Sequence, residues 1–295
     1  MCLFLKPKEE IIGEKIKLFR KKIGLTQKEL AAGIISQAQM SNIEKGEVIP
    51  LSTTLYEISN RLGVDVNLFY EFAYNDQYQY LSEVKTRIRK AIRKRDYKKV
   101  SFIVKEVLDN PSFSNPKEQK FLLWHKGVSD YYLTKNLEDS LITLDKALHL
   151  NKKNEIVAIV DIEILNSIGI LYNETQQYEK SVKMYNQAFS KFNSLLEPAD
   201  FKVWVRMCYG TAKSLNKLNE HKKSINYCHD GIAVCIKEES LYLLGELHYE
   251  TGQNLKSLGQ VKEAYNSFNK AVNIFEIENR FSYLEATKKK IRELY

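Results

Sequence analysis

Three amide side chains, those of Gln37, Gln39 and Asn42, fall within a short segment whose pattern predicts a helix. Met40 and Ile43 share one face of that helix, which leaves the amides on its other faces. An exposed amide can bond the edge of an adenine at two points in the major groove of DNA. The residue types of this segment therefore suit contact with base edges.

A second group of side chains could bind an anion. Residues 83–106 contain ten Lys or Arg against three acidic residues, so this stretch carries +7 of the formal net charge of +8. The pattern fits either a solvated helix face or an anion site. A positive net charge permits a polyanionic partner without identifying one.

The residue types of catalytic and metal sites do not converge in this sequence. The five histidines are scattered, and there is no HExxH pair, nucleophile elbow or phosphate-binding loop. The four cysteines lack CxxC spacing, which favours small core residues over disulfides or metal ligands. We therefore expect no catalytic residue, no metal and no cofactor. The cysteines are Cys2, Cys208, Cys228 and Cys235.

The composition indicates a folded chain, with 44% hydrophobic and 28% charged residues but only 5 Pro and 12 Gly. The first residues form an apolar run too short for a signal peptide, and no later stretch approaches the length of a membrane span. We expect a cytoplasmic protein that does not enter a membrane.

Five short helices are predicted over residues 12–72. The first ends at Gly24, and the pattern of apolar residues then starts again after Thr26. Thr26 and Glu29 have the spacing of a capping box, which marks the start of the second helix. Gly46 ends the helix that holds the three amides.

The motif Thr-Gln-x-Glu-Leu-Ala from Thr26, followed by Met-Ser-x-Ile-Glu-x-Gly from Met40, resembles the lambda-repressor/Cro-type (XRE-like) helix-turn-helix domain over about residues 12–72. The segment between Ala31 and Ser41 is one residue shorter than in the commonest form and lacks the usual turn glycine. The resemblance implies base contacts from Gln37, Ala38, Gln39 and Asn42, and phosphate contacts from Gln27 and Ser41. Any one of these six residues could instead be a surface residue that contacts no DNA.

A repeat of about 40 residues occupies the remainder of the chain. Five segments align, and their first residues are separated by 40, 41, 43 and 40 positions. Each segment is followed at one fixed distance by a small residue or Val and then by an apolar residue. The aligned segments begin at Tyr97, Leu137, Tyr178, His221 and Val261.

Each unit is predicted to be a helix with a small residue midway, a turn and a second helix. This pattern resembles tetratricopeptide repeats, lengthened from the usual period of about 34 residues. The resemblance implies an all-α fold in which five degenerate repeats form a right-handed solenoid, closed by a helix over about 281–294. Solenoids of this kind have a concave groove and bind peptides more often than they catalyse.

Three parts of the chain are thus predicted. Residues 1–68 form the helix-turn-helix domain, residues 69–81 form a linker helix, and residues 82–295 form the repeat domain for peptide binding and dimerisation. The linker contains six aromatic residues, which is too many for a free tether. We therefore expect the linker helix to be packed.

An XRE-type domain followed at once by five degenerate repeats resembles the peptide-sensing quorum-sensing regulators of Gram-positive bacteria (the Rgg/Rap/NprR/PlcR/PrgX type), and most closely their PlcR-like members. The resemblance covers nearly the whole chain. It implies a homodimer, an imported short linear peptide in the groove, and gene activation at a palindromic site in double-stranded DNA.

The same resemblance implies a set of peptide contacts. Asn166 stands where the family bonds the peptide main chain, and Arg93 and Arg95 match a basic pair that faces the acidic or C-terminal end of the peptide. Glu246 stands where we would expect a neutral amide, which predicts a ligand that differs in charge from the relatives' peptides. The tyrosines could instead serve packing between repeats. The remaining candidates are Tyr70, Tyr209, Lys213, Tyr249 and Tyr283.

Two other classes of function compete with this interpretation. An enzyme is disfavoured because no catalytic motif is present. A tetratricopeptide adaptor or phosphatase-like protein would act on protein partners through the same groove. The helix that carries Gln37, Gln39 and Asn42 disfavours this alternative, because the peptide-inhibited aspartyl-phosphate phosphatases of related architecture lack a DNA-binding domain.

Overall fold

The regular structure of this protein is helical. The computed structural model describes residues 8–73, 75–150, 157–196 and 198–294, and these contain no strand. The chain divides into two compact units, Met1–Lys90 and Ala91–Tyr295. Within the described ranges, no helix has the length and apolar character needed to cross a membrane.

The N-terminal unit contains the five predicted short helices. A single core of apolar side chains joins them, with Ile16, Leu30, Met40, Ile58 and Phe69 almost fully buried. Phe69 packs edge-on against Phe19, with ring centroids 5.8 Å apart. The helices are α1 (Lys8–Lys22), α2 (Gln27–Ala31), α3 (Gln37–Glu44), α4 (Ser52–Leu62) and α5 (Asn67–Ala73).

The turn between α2 and α3 lacks the glycine of the commonest helix-turn-helix form but contains Gly33. Gly33 adopts a left-handed backbone with φ +75, which glycine tolerates at little cost. Arg61 of α4 reaches across to the end of α2, where its guanidinium donates to the carbonyl oxygens of Leu30, at 3.1 Å, and Ala32. The glycine and this cation together stabilise the shortened turn.

The remaining helices follow the repeat that the sequence predicts. Where one linker helix was expected over residues 69–81, the structure has the end of α5 and the beginning of α6. The five predicted helix pairs and the closing helix are confirmed. They are α6 (Asn75–Arg93), α7 (Tyr97–Val107), α8 (Pro116–Thr134), α9 (Leu137–His149), α10 (Ile159–Glu174), α11 (Tyr178–Asn193), α12 (Phe201–Lys217), α13 (His221–Lys237), α14 (Leu244–Ser257), α15 (Val261–Ile277) and α16 (Phe281–Arg292).

Glycines in the first helix of three repeats make room for a large side chain of the second helix. An added Cβ would approach Leu144 at Gly127, Tyr185 at Gly169 and Phe268 at Gly252, each within 2.8 Å. Real Cβ atoms do not come this close to a neighbour. The small midway residue read from the sequence therefore sets the distance between the paired helices.

The first helices of successive repeats also contact one another, with α8 beside α10, α10 beside α12 and α12 beside α14. Side-chain hydrogen bonds join these neighbours. Asn173 Nδ2 of α10 donates to Ser214 Oγ of α12 at 2.8 Å, and Asn216 Nδ2 of α12 donates to Glu250 Oε1 of α14. These helices therefore form one continuous wall of the C-terminal unit.

Candidate functional site

Helix α3 presents a polar surface because its apolar side chains are committed to the core. Ser36 caps its first turn, and Gln39 completes a capping box by accepting from the Ser36 backbone N–H at 3.0 Å. Met40 and Ile43 are buried on the opposite face. The predicted base-reading side chains of Gln37, Ala38 and Gln39 are all exposed.

The other predicted DNA contacts are partly buried. Asn42 lies within 3.3 Å of the Ala38 carbonyl oxygen and of a Glu47 carboxylate oxygen, so its amide nitrogen is placed to donate to both. Ser41 is half-buried. Gln27 donates from Nε2 to Glu44 Oε2 at 2.8 Å, which ties the predicted phosphate contact to the end of α3.

The orientation of α3 is fixed by a close approach of α1. A Cβ on Gly13 would lie 2.1 Å from the Ile43 carbonyl oxygen, so only glycine fits there. Gly46, with φ +74, ends the helix as predicted and sits directly against the backbone of Glu10. The sequence analysis did not single out Gly13, because its role depends on a contact 30 residues away.

A cavity of about 540 Å³ opens in the C-terminal unit beside α10 and α12. It brings together four of the predicted peptide contacts, namely Arg95, Asn166, Tyr209 and Lys213. The other lining residues are Tyr97, Tyr132, Ile170, Asn173, Glu174, Tyr185, Arg206, Gly210, Tyr242 and Leu243. The wall thus combines amides, tyrosines and cations around an isoleucine.

Asn166 has an unusual position in this wall. Its residue surface is 4% exposed, and its Oδ1 atom has no hydrogen-bond partner. A buried polar atom without a partner costs about 1 to 3 kcal/mol, so native proteins rarely retain one without a purpose. A bound N–H donor would satisfy this oxygen.

One end of the cavity is aromatic, and the sequence analysis missed it. Tyr97 stacks on Tyr132 with ring centroids 4.0 Å apart and an interplanar angle of 10°. The Tyr132 hydroxyl donates to Glu174 Oε1 at 2.6 Å. Burial, together with this acceptor and its negative charge, raises the pKa of Tyr132 well above its ordinary value. Arg95 precedes the stack with a left-handed backbone, φ 55.

Arg206 links two walls of the cavity. Its guanidinium donates to Glu163 Oε1 of α10 at 2.5 Å and to the Tyr242 hydroxyl at 3.3 Å. Burial lowers the pKa of Arg206, but the charge of Glu163 and the Tyr242 hydroxyl outweigh this effect and raise it overall. The ion pair joins residues on two successive first helices, α10 and α12.

The other predicted peptide contacts lie outside the cavity lining. Glu246 accepts from Arg280 at 2.6 Å, and the Arg280 guanidinium lies 4.0 Å from the ring centroid of Tyr283. Tyr249 accepts from Gln253 at 3.3 Å. Arg93 is exposed at the end of α6, and Tyr70 is exposed in the N-terminal unit.

A second cavity, of about 690 Å³, lies between α9, α10 and α11. None of the predicted contact residues lines it. Its buried charges are paired, because Lys120 donates to Asp161 at 2.5 Å. Over the described ranges, no group of three or more His, Cys, Asp or Glu is placed to hold a metal ion.

Two protein-family models match this chain, one over the helices around α3 and one over the helices that form the cavity. Residues 16–69 match the helix-turn-helix family model, and residues 85–294 match the model of the RNPP family C-terminal domain. No curated protein sequence gives a significant match.

Several solved structures are similar to nearly the whole chain. PlcR of Bacillus thuringiensis in complex with the peptide PapR7 and DNA is 27% identical, with 94% of this chain and 99% of that chain covered and a TM-score of 0.78. Its apo form is 26% identical, with 96% and 99% covered and a TM-score of 0.68. ComR of S. thermophilus, solved with DNA and its signalling peptide ComS, is 17% identical with 96% and 99% covered and a TM-score of 0.65, which shows the fold alone.

The C-terminal domain model covers more than two thirds of the chain and directly follows a helix-turn-helix domain. The relatives are transcription regulators and not enzymes, which confirms the expectation that this protein is not an enzyme. The chain belongs to the RNPP family of peptide-sensing helix-turn-helix regulators.

Proposed function

We propose that this protein is a cytoplasmic quorum-sensing regulator whose dimer binds a palindromic DNA site through α3 of each copy. A short linear signalling peptide, held in the cavity beside α10 and α12, controls that binding. Activation is the expected outcome at the regulated gene. The PlcR structure that contains both PapR7 and DNA supports the pairing of these two ligands.

The observation that carries the peptide proposal is the unpartnered Oδ1 atom of Asn166. Asn173 and Lys213 line the same cavity with polar atoms, while Ile170 and Tyr209 offer apolar surface. A peptide main chain presents N–H donors and carbonyl acceptors at regular spacing, and its side chains need apolar contact. This mixed wall suits such a ligand better than it suits a wholly apolar molecule.

The dimer is proposed because the DNA-binding surface of one copy is small. The exposed surface of α3 supplies only a few side chains, and one small module buries too little surface for tight specific binding. Two copies reading inverted half-sites, spaced by one helical turn or a multiple of it, would supply the remainder. Sedimentation of the protein bound to DNA checks the stoichiometry, and a monomer on a single half-site would contradict the proposal.

The peptide proposal is tested with synthetic peptides from a short secreted precursor encoded next to the gene. Calorimetry measures the affinity of the full chain for peptide with and without its selected DNA site. Linkage requires that each ligand tighten the other by the same factor, typically about 5- to 150-fold. Equal peptide affinity with and without DNA would show that peptide binding in the cavity does not control DNA binding.

Asn166→Ala provides the matching variant, with the exposed Asn266→Ala as its control. We expect Asn166→Ala to weaken peptide binding by about 1 to 3 kcal/mol and to leave DNA binding without peptide unchanged. Asn266→Ala should alter neither. Equal loss in both variants would exclude Asn166 as an anchor for the peptide.

A further inference from the structure

Helix α6 has a buried apolar side and an exposed cationic side. The apolar side chains of Val84, Ile88 and Ala91 are almost fully buried. Residues 84–95 contain seven Lys or Arg and no acidic residue. Three of these cations are exposed and recur at the spacing of one helix face. They are Arg87, Lys90 and Lys94, which we call the α6 cationic face.

The α6 cationic face has no acidic partner in the part of the chain that the structure describes, where no Asp or Glu forms an ion pair with any of its three residues. Like charges three or four residues apart on a helix repel each other and destabilise it. A solvated helix face more often alternates charges of opposite sign. This face therefore suits an anionic partner from outside the chain.

The helix-turn-helix segment lacks the charge that this face supplies. Residues 1–82 contain ten Lys or Arg and ten Asp or Glu, so they carry no net charge. Attraction between cations and phosphates, with release of counterions, supplies essentially all of the non-specific affinity of a protein for DNA. Residues 83–95, which follow directly, contain seven Lys or Arg and one acidic residue and carry a net charge of +6.

We propose that the α6 cationic face binds backbone phosphates of the DNA whose bases α3 contacts. Arg87 and Lys94 lie about 10 Å apart along the helix axis, a length over which one DNA strand carries about three phosphates. Contacts to phosphate carry no sequence information, so this face adds affinity for every DNA sequence. The inference rests on the DNA-binding part of the proposed function. None of the three cations lines the peptide cavity.

The test compares the full chain with the triple variant Arg87→Gln/Lys90→Gln/Lys94→Gln. Glutamine keeps a similar helix propensity and removes the three charges. Anisotropy titrations measure the affinity for a duplex with the selected site and for a random duplex of equal length, over about 50 to 200 mM salt. The logarithm of affinity falls with the logarithm of salt concentration by about 0.9 for each phosphate contact, so the slope of the variant should be smaller by about 2 to 3 on both duplexes.

A triple variant with the same change in charge provides the control. Lys183→Gln/Lys222→Gln/Lys262→Gln removes exposed lysines from α11, α13 and α15 and should leave the slope unaltered. An equal reduction of the slope in this control would overturn the inference, because net charge alone would then explain the effect.

The variant Arg87→Lys/Lys90→Arg/Lys94→Arg keeps the three charges and should retain the wild-type slope, which separates a loss of charge from a loss of fold. Equal slopes for the wild type and the glutamine variant would overturn the inference and leave the face to solvent or to an acidic protein. A loss confined to the selected duplex would contradict it too, since phosphate contacts do not distinguish sequences.

The random duplex also separates this inference from the proposed function. If the wild type binds random DNA with a slope that depends on the α6 cationic face but selects no site, the proposed palindromic site fails and the inference stands. If the wild type binds no DNA, both fail.

Discussion

Glu44 at the end of α3 and Arg20 on α1 form a buried two-point ion pair inside the N-terminal unit. Arg20 Nη2 donates to Glu44 Oε2 at 2.9 Å, and Nε donates to Oε1. The two residues are only 3% and 8% exposed, for Glu44 and Arg20 respectively. Arg20 also donates to the Leu25 carbonyl oxygen at 2.8 Å, and Gln27 donates to the same carboxylate. This network holds α3 in place against α1 and the beginning of α2.

Glu44→Ala should destabilise the N-terminal unit by about 3 to 5 kcal/mol, because it leaves Arg20 buried without its partner. Amide hydrogen exchange of peptides from α1 and α3 measures this loss separately from the C-terminal unit. The control is Glu47→Ala, since Glu47 is exposed and contacts only Lys45 and the Asn42 amide, so its loss should cost less than about 1 kcal/mol. Similar exchange in both variants would contradict a structural role for the buried pair.

The same pair makes the N-terminal unit sensitive to acid. Burial alone would raise the pKa of Glu44, but the hydrogen bonds from Arg20 and Gln27 outweigh it and hold the pKa below its ordinary value of 4.5. Its contribution to stability is therefore complete above pH 4.5 and lost as the pH falls through the lower folded value. The protection factors of the α1 and α3 amides, which correct for the pH dependence of intrinsic exchange, should fall below pH 4.5, and Glu44→Gln should remove that part of the pH dependence.

Gln37 and Gln39 should behave differently when replaced by Ala. Gln37 has an exposed amide with no role in capping, so its loss should cost about 1 to 3 kcal/mol at the selected DNA site and leave stability unchanged. Gln39 also accepts from the Ser36 backbone N–H, so Gln39→Ala should destabilise α3 by about 1 kcal/mol as well. Anisotropy titrations on the selected site and on random DNA, with hydrogen exchange of α3, separate the two effects. Equal losses on both DNAs would remove Gln37 from the base readers.

Gly210→Ala should destabilise the C-terminal unit by about 1 to 3 kcal/mol through overpacking. A Cβ at residue 210 would lie 2.2 Å from the hydroxyl oxygen of Tyr185, which is fully buried between α10 and α12. Both tryptophans, Trp124 and Trp204, belong to this unit, so tryptophan fluorescence in urea reports its unfolding.

Gly259→Ala is the control for this prediction. Gly259 has φ +74 and no atom within 4 Å of an added Cβ, so its substitution costs only backbone strain of about 1 kcal/mol. If Gly210→Ala lowers the free energy of unfolding by less than Gly259→Ala does, Tyr185 moves aside to admit the added methyl group.

His248 should make the C-terminal unit less stable at mildly acidic pH. Burial, with the positive charges of Lys270 and His229 nearby, lowers the pKa of His248 from 6.5 to about 4. The unfolded chain therefore binds the proton more readily, so stability is complete above pH 6.5 and falls as the pH approaches 4. We expect a loss of about 1 to 2 kcal/mol over this range, allowing for partial exposure of the ring. His248→Gln should reduce the change of the urea midpoint with pH. If the midpoint of the variant changes with pH as much as that of the wild type, the pH dependence comes from other groups.

Local signals in the sequence were enough to predict the helices and their repeat. Thr26 and Glu29 do form the predicted capping box, with bonds of 3.2 and 2.7 Å, because both partners lie within one helical turn. The period of about 40 residues likewise predicted five helix pairs, since each unit repeats the same apolar and small positions. These features depend on residues that are near one another along the chain.

Tertiary structure alone decided which polar side chains are engaged and which remain open. Asn166 and Asn173 occupy the same helix and are chemically identical, yet Asn173 is bonded to Ser214 while the Asn166 oxygen has no partner. The same holds for Glu246, whose two oxygens differ only because Arg280 reaches one of them. Partners 30 to 45 residues apart meet only after the repeats stack, and no periodicity in the sequence specifies which donor reaches which acceptor.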